Sequence, residues 1–173
     1  MMKPCWSLHS PMRFAQLLLL MLAMLVSAMA QAEGLMTGFV VRVADGDTLT
    51  LLDERHQPYK IRLAGIDAPE KAQAFGRDSQ QKLYTLCYHK QAVVAVVNTD
   101  RYGRTVGDVT CDDVHANEVM VRDGNAWVYR HYDRGFESFY ALEAAAREAK
   151  LGLWADDDPT PPWVWRHSRR LKD

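Results

Sequence analysis

Three closely spaced strand patterns between Gly38 and Ile66 leave few folds open to this chain. β-branched residues alternate with polar ones on both sides of Asp45-Gly46-Asp47, a sequence typical of the turn between two paired strands. A polar stretch at residues 53–58 then precedes a third strand that runs to Ile66. These patterns predict an antiparallel sheet of short strands at the start of the domain.

The rest of the chain alternates helix and strand patterns. An apolar run at residues 92–97 predicts a fourth strand, and residues 104–111 are expected to form a fifth that returns from the turn at 100–103. A short strand or extended segment is expected at 126–132. Helical periodicity predicts three helices, over residues 77–90, 116–123 and 136–150. We therefore predict an α+β, mainly β fold, in which five strands form a small closed barrel decorated by helices.

The first thirty of the 173 residues have the pattern of an export signal. Lys3 and Arg13 precede an uncharged apolar run that ends in small residues, Ser27-Ala28-Met29-Ala30. We predict a signal peptide over residues 1–30, with cleavage after Ala30. Ala32 fits the cleavage pattern equally well. The alternative is an uncleaved membrane anchor, because the run is nearly long enough to span a bilayer. Residues 31–37 are then a linker to the domain.

Cysteine usage fits an exported protein. Cleavage removes Cys5 and leaves Cys87 and Cys111, and an even pair in an oxidising compartment most simply forms a disulfide. Two free buried thiols are the alternative. We expect a periplasmic or secreted protein with no stable membrane association after cleavage.

The charge balance restricts how such a protein could bind nucleic acid. The chain has 21 Lys and Arg against 22 Asp and Glu, a net charge of −1, so bulk electrostatic attraction to a polyanion is excluded. Binding would have to depend on a local site. The Pro-rich, basic tail at residues 158–173 could contact nucleic acid, although a solvated disordered end is the simpler interpretation.

Charged residues cluster in three loops beside the predicted strands. Carboxylates from two loops could bind a hard cation such as Ca²⁺, and arginines suit phosphate because the guanidinium makes paired hydrogen bonds. A cation, two arginines and a further carboxylate suffice to cleave a phosphodiester. On spacing alone, an ordinary turn at Asp45-Gly46-Asp47 and an ordinary loop at Asp67-Ala68-Pro69-Glu70 are the simpler interpretation. The clustered residues are Asp45 and Asp47, then Arg62, Asp67 and Glu70, then Arg101, Tyr102 and Arg104.

Four motifs in a fixed order carry a resemblance to a known family. They are Asp45-Gly46-Asp47-Thr48, Arg62-Leu63-x-x-Ile66-Asp67-x-Pro69-Glu70, Asp100-Arg101-Tyr102-Gly103-Arg104 and Leu151-Gly152-Leu153-Trp154. From about residue 38 to residue 157 the chain resembles the micrococcal nuclease (thermonuclease) family. The resemblance implies an OB-type, five-stranded Greek-key barrel with three helices. It also implies Ca²⁺-dependent hydrolysis of DNA and RNA that leaves 3′-phosphate ends.

The resemblance assigns the metal ligands and the base. Asp47 and Asp67 match the carboxylates that hold the metal in the family. Ala68 matches a position that contributes only its backbone carbonyl. Glu70 matches the carboxylate proposed as general base toward the attacking water.

The resemblance also assigns the groups that contact substrate. Arg62 and Arg104 match the two arginines that bind the phosphate and stabilise the five-coordinate transition state. Tyr102 and Tyr132 match tyrosines that contact nucleotides, and Arg101 is expected to bind substrate beside them.

These observations together favour an exported, monomeric, Ca²⁺-dependent nuclease. One alternative is a non-catalytic OB-type barrel that only binds nucleic acid. Another is an exported scaffold whose acidic loops bind Ca²⁺ for stability. Incubation of plasmid with the mature protein, with Ca²⁺ or with chelator, would separate the first two, because binding without scission favours the non-catalytic barrel. Absence of any nucleic-acid retention would favour the scaffold.

Overall fold

The computed structural model describes residues 34–171. The predicted signal peptide, residues 31–33 of the predicted linker and the last two residues lie outside the described residues. Within residues 34–171, no helix combines the length and the apolar composition needed to span a membrane.

The strands form a closed barrel. In the main sheet the order is β3-β2-β1-β5-β6-β7, and the barrel closes where β3 pairs in parallel with β6. The separate pair β4–β8 is antiparallel. The eight strands are β1 (Leu35–Asp45), β2 (Thr48–Leu52), β3 (Pro58–Leu63), β4 (Ile66–Asp67), β5 (Gln91–Thr99), β6 (Thr105–Cys111), β7 (Val114–His115) and β8 (Trp127–Val128). The predicted five-stranded OB-type barrel is confirmed, with β1, β2, β3, β5 and β6 as its strands.

Four helices pack around the barrel. They are α1 (Gly76–Cys87), α2 (Ala116–Arg122), α3 (Phe139–Glu148) and α4 (Pro162–Arg170), and a 3₁₀ turn (Gly152–Ala155) lies between α3 and α4. The first three correspond to the helices predicted from periodicity. The fourth lies in the basic tail, for which a disordered end was the simpler expectation. The extended segment expected at 126–132 is reduced to the two residues of β8.

Apolar side chains from both sheet and helices fill the barrel. The strands contribute alternate residues, as a half-buried pleated surface requires. Fully buried members include Val40, Leu49, Leu51, Ile61, Val94 and Val109 from the strands, with Leu83 and Met120 from the helices. A second cluster joins Trp127, Trp154 and Trp163, which anchors the end of the chain on the domain.

A disulfide fastens the first helix to the barrel. Cys87 ends α1 and Cys111 ends β6, and their sulfurs are bonded across a sequence separation of 24 residues. Both cysteines are completely buried. The structure therefore contains the disulfide, and not the two free thiols that the sequence left as the alternative.

Candidate functional site

The turn between β1 and β2 places the Asp47 carboxylate inside the domain. Gly46 is essential to it, because a Cβ at this position would lie 1.8 Å from Ser79 Oγ and 2.8 Å from Ala68 Cβ. The close approach buries Asp47, which is only 4% exposed. Asp47 Oδ2 accepts a hydrogen bond from the Ala68 backbone N–H at 3.1 Å, so the turn is fastened to the loop after β4.

Arg62 links two buried aspartates. It lies on β3, where Nη1 donates to Asp47 Oδ1 and Nη2 donates to Asp67 Oδ1, each at 2.8 Å. Burial alone would lower the pKa of Arg62, but the charges of Asp47 and Asp67 more than offset it and raise that pKa. The guanidinium is therefore always charged and is held rigidly by two ion pairs.

Negative charge is concentrated at this edge of the barrel. Burial raises the pKa of Asp45 to about 7, and the nearby charge of Asp47 adds to the effect. Burial also raises the pKa of Asp67, against the opposing effect of its hydrogen bond from Arg166. Carboxyl groups that resist ionisation in this way mark a place where an added cation would be stabilised.

The loop that follows β4 positions Glu70. Its backbone N–H donates to Gln73 Oε1 at 3.1 Å, and its carbonyl accepts from the Gln73 N–H at 2.7 Å. Gly76, the first residue of α1, packs so closely that a Cβ there would lie 1.9 Å from the Glu70 carbonyl oxygen. The Glu70 carboxylate is half exposed, so a fixed backbone presents a side chain that water can reach.

The turn between β5 and β6 carries the second predicted arginine. Arg104 donates through Nε to Asp100 Oδ2 at 2.7 Å, and Asp100 Oδ1 accepts the backbone N–H groups of Tyr102 and Arg104. The Arg104 guanidinium lies 5.6 Å from the centre of the Tyr102 ring. Burial of Asp100 would raise its pKa, but these hydrogen bonds lower it, so the Asp100 anion orders the whole turn.

All three loops open onto one groove of about 1,070 Å³. Arg62, Glu70 and Arg104 line it, so the three groups predicted to perform the chemistry face the same space. The other predicted residues that line this groove are Asp47, Ala68, Arg101, Tyr102 and Tyr132. Asp67 lies completely buried beneath it, in contact with Arg62.

Helix α4 adds residues that the motifs did not indicate. Trp163, Arg166, His167 and Arg170 line the same groove, and Arg166 bonds directly to Asp67 and Glu70. A signal was present in the sequence: Pro161-Pro162 suits a helix start, and Trp163, Arg166 and Arg170 then recur at helical spacing. Tyr129, just after β8, also lines the groove and stacks on Trp163.

The donor set fits a hard cation that takes a few ligands from the protein and the rest from solvent or substrate. Within residues 34–171, no cluster of three or more His, Cys, Asp or Glu side chains is arranged to hold a metal by itself. Two buried carboxylates, Asp47 and Asp67, and the Ala68 carbonyl supply oxygen donors of the kind Ca²⁺ takes. A positive group, the Arg166 guanidinium, already lies 2.7 Å from Asp67 Oδ2, so this carboxylate is one that faces positive charge.

This arrangement suits attack on a phosphodiester. Arg62 and Arg104 can approach a phosphate in the groove from β3 and from the β5–β6 turn. Glu70 is the water-accessible carboxylate of the set and can accept a proton. Exposed tyrosines continue the groove beyond this centre, since Tyr102 is 71% and Tyr132 65% exposed.

Comparison with known proteins gives concordant matches. The model of the family described as Staphylococcal nuclease homologue matches residues 60–156. An "Uncharacterized endonuclease" of Escherichia coli O157:H7 is 46% identical over 133 residues, 76% of this chain and 86% of that protein. A "Micrococcal nuclease" of Shigella flexneri is 39% identical over 157 residues, 85% of this chain and 88% of that protein.

A third relative extends the range of organisms. An "Uncharacterized endonuclease" of Haemophilus influenzae is 42% identical over 132 residues, covering 76% of this chain and 74% of that protein. The matched family region begins in β3 and ends just after the 3₁₀ turn. Arg62, Asp67, Glu70 and Arg104 all fall inside it.

Proposed function

We propose that this chain, which belongs to the staphylococcal nuclease family and is a nuclease that hydrolyses phosphodiester bonds, cleaves both DNA and RNA. The proposed reaction depends on Ca²⁺ and leaves 3′-phosphate ends. The observation that supports this most directly is the shared groove of Arg62, Glu70 and Arg104, with two buried aspartates at its base.

The two arginines bind and stabilise the phosphate. Arg62 is rigid, since Asp47 and Asp67 fix both of its terminal nitrogens, and its position changes little as negative charge develops on phosphorus. Arg104 is more accessible and is oriented by its ion pair with Asp100 near the exposed Tyr102 ring, which suits a group that follows the departing oxygen.

Glu70 accepts the proton of the attacking water. Its loop is fastened through Gln73 and against Gly76, whereas its carboxylate, although bonded to Arg166 through Oε1, is partly exposed to solvent in the groove. Asp47, Asp67 and the Ala68 carbonyl would hold Ca²⁺, which when bound supplies positive charge to the phosphate and orders water near Glu70.

The aromatic side chains favour a substrate with accessible bases. Tyr102 and Tyr132 are largely exposed on the groove, where a base can stack on either ring. Stacking is tolerant of sequence and of sugar, which supports action on both DNA and RNA in single-stranded or frayed form. Arg101 lies 5.4 Å from the Tyr102 ring centre and can add a phosphate contact there.

The proposed setting is outside the cytoplasm. The signal pattern of residues 1–30 and the Cys87–Cys111 disulfide both fit an oxidising compartment, so we propose a periplasmic or secreted monomer without stable membrane association.

Cleavage assays test the proposal. Purified protein is incubated with single-stranded DNA and with RNA, in Ca²⁺ or in chelator, and product ends are tested for a phosphate on the 3′ position. We expect both substrates to be cleaved only with Ca²⁺. Glu70→Gln and Arg104→Gln should each lower kcat about 100-fold or more, as losses of a proton acceptor or a transition-state donor do.

Matched variants control for charge and stability. Glu54→Gln and Arg55→Gln make the same changes in the exposed β2–β3 turn and should leave kcat unchanged. Undiminished cleavage by Arg104→Gln, or full activity in chelator, would refute the proposed chemistry.

A further inference from the structure

Helix α4 brings a second arginine, besides Arg62, onto the carboxylates at the base of the groove. Arg166 Nη2 donates to Asp67 Oδ2 at 2.7 Å, and Nη1 donates to Asp67 Oδ1 at 3.1 Å and to Glu70 Oε1 at 2.8 Å. One guanidinium thus joins the buried aspartate to the carboxylate that we propose as the base. Nothing in the roles described above requires this contact.

Arg166 takes the oxygen positions on Asp67 that a cation would need. Arg62 contacts Asp67 Oδ1 only, and Oδ2 is left to Arg166. A carboxylate has about four acceptor positions, of which these two guanidinium groups already use three. A divalent cation that binds Asp67 must therefore either take the one remaining position, directly beside Arg166, or replace a contact made by Arg166.

Charge leads to the same conclusion. Asp47, Asp67 and Glu70 face the guanidinium groups of Arg62 and Arg166. Without a divalent cation, Arg166 offsets charge that would otherwise be unbalanced. Once such a cation binds, Arg166 lies within a few ångströms of a like charge in a partly buried site, where repulsion is strong.

The structure allows the side chain to leave while the helix stays. The helix is held by Trp163, which packs on Trp127 and Tyr129. Shortly before the helix begins, the Thr160 carbonyl accepts a hydrogen bond from the Gln73 side chain. The Arg166 side chain itself is one-third exposed and borders the open groove. It can swing away from Asp67 without unfolding the turn that carries it.

We propose that Arg166 is a positioning residue that holds Asp67 and Glu70 together in the cation-free enzyme and competes with the divalent cation for them. Arg166 thereby sets the Ca²⁺ concentration at which the nuclease becomes active. This inference rests on the proposed Ca²⁺ dependence, but it concerns the strength of cation binding and not the chemistry of cleavage.

Calorimetric titration of Ca²⁺ into the purified protein, at fixed ionic strength and without substrate, provides the test. Arg166→Gln should bind Ca²⁺ about tenfold more tightly than the wild type, since a competing charge is removed from the site. Arg169→Gln is the matched control: it removes the same charge from the same helix, where the guanidinium lies over Trp165. Its Ca²⁺ affinity should stay within about twofold of the wild type.

A conservative variant and a spectroscopic signal keep the test decisive if Arg166→Gln unfolds. Arg166→Lys keeps the charge but loses the paired contact with Asp67, so its Ca²⁺ affinity should fall between those of the wild type and Arg166→Gln. In the wild type, the Arg166 side-chain Nε–H resonance, identified by its absence in Arg166→Lys, should shift as Ca²⁺ saturates the site.

The possible results separate this inference from the proposed function. If the enzyme binds Ca²⁺ and cleaves, but Arg166→Gln binds Ca²⁺ no more tightly than Arg169→Gln, the competition is refuted and the proposed function stands. An Arg166 resonance unmoved by saturating Ca²⁺ refutes it as well. If no variant binds Ca²⁺ and cleavage proceeds in chelator, both this inference and the proposed cation dependence fail.

Discussion

Asn117 carries hydrogen bonds at the place where the barrel closes. It is completely buried at the start of α2, where Oδ1 accepts the Val109 N–H at 2.9 Å and Nδ2 donates to the Ala64 carbonyl at 2.9 Å. Val109 lies in β6 and Ala64 follows β3, the two strands whose parallel pairing closes the sheet. One side chain thus satisfies backbone groups on both sides of the closure.

Removing that side chain should destabilise the whole domain. Asn117→Ala leaves a buried N–H and a buried C=O without their partner, so we expect the free energy of unfolding to fall by about 2–4 kcal/mol. Urea denaturation followed by tryptophan fluorescence measures it. Asn98→Ala, an exposed asparagine of β5, is the control and should be nearly neutral. A loss as small as that of the control would mean that Asn117 does not hold the closure.

His115 gives the stability a dependence on pH. Its hydrogen bond to Asp108 raises the pKa of the imidazole above its ordinary value of 6.5, and Glu118 adds to this. Because the folded state binds the proton more tightly, the contribution to stability is complete below about pH 6.5 and is lost as the pH rises through the folded-state pKa. Its size should be under about 1 kcal/mol, since solvent screens a partly exposed group.

Paired denaturation series detect this contribution. The difference in unfolding free energy between wild type and His115→Gln should be larger at pH 5.5 than at pH 8.5. His89→Gln, which removes an exposed histidine after α1, is measured in the same series as the control for the loss of an imidazole. A difference that grows toward alkaline pH would contradict the assigned direction of the pKa.

At the scale of elements, the disulfide is the covalent tie between a helix and the barrel. Cys87–Cys111 closes a loop of about 25 residues that contains all of β5, so its removal should lower stability by about 3 kcal/mol. The double variant Cys87→Ala/Cys111→Ala, compared with wild type by chemical denaturation, measures the loss. Adding reductant should destabilise the wild type and leave the variant unchanged; equal stability of all four samples would refute the prediction.

The strands and the first three helices could be predicted because their signals are local. Asp45-Gly46-Asp47 specifies its own turn, and alternation over residues 48–52 indicates which face is buried. Strand ends were harder: the third strand was predicted to run to Ile66, but the chain turns at Ala64-Gly65, and Ile66 begins the separate strand β4. Gly65 adopts a φ of +71° there, a backbone choice that the apolar pattern does not reveal.

Helix α4 was harder to predict because its stability comes from tertiary contacts. Nine residues rich in charge form a marginal helix alone, and its packing contacts come from Trp127 and Tyr129, in and just after β8, and from Trp154 in the 3₁₀ turn. The motifs placed Arg62, Glu70 and Arg104 on one groove, as the structure has them. They could not place Arg166, because no local pattern joins it to Asp67 across 99 residues.

At the scale of the whole molecule, a net charge of −1 must coexist with a groove for a polyanion. The structure resolves this by pairing charges internally. Arg62 and Arg166 are neutralised by Asp47, Asp67 and Glu70, and Arg104 is paired with Asp100. Three other arginines line the groove and form no salt bridge within residues 34–171: Arg101, Arg134 and Arg170.

That pairing predicts a weak salt dependence of nucleic-acid binding. About three unneutralised arginines should release few counterions, so log K for a single-stranded oligonucleotide should fall with log salt at a slope of about −2. Fluorescence anisotropy in chelator, where the proposed reaction stops, measures this slope. Arg170→Gln should make it shallower by about 0.7, whereas Arg42→Gln, an exposed arginine of β1 outside the groove, should not change it. A wild-type slope of about −4 or steeper would mean that the internally paired arginines also release counterions on binding. The division between paired and free arginines would then be wrong.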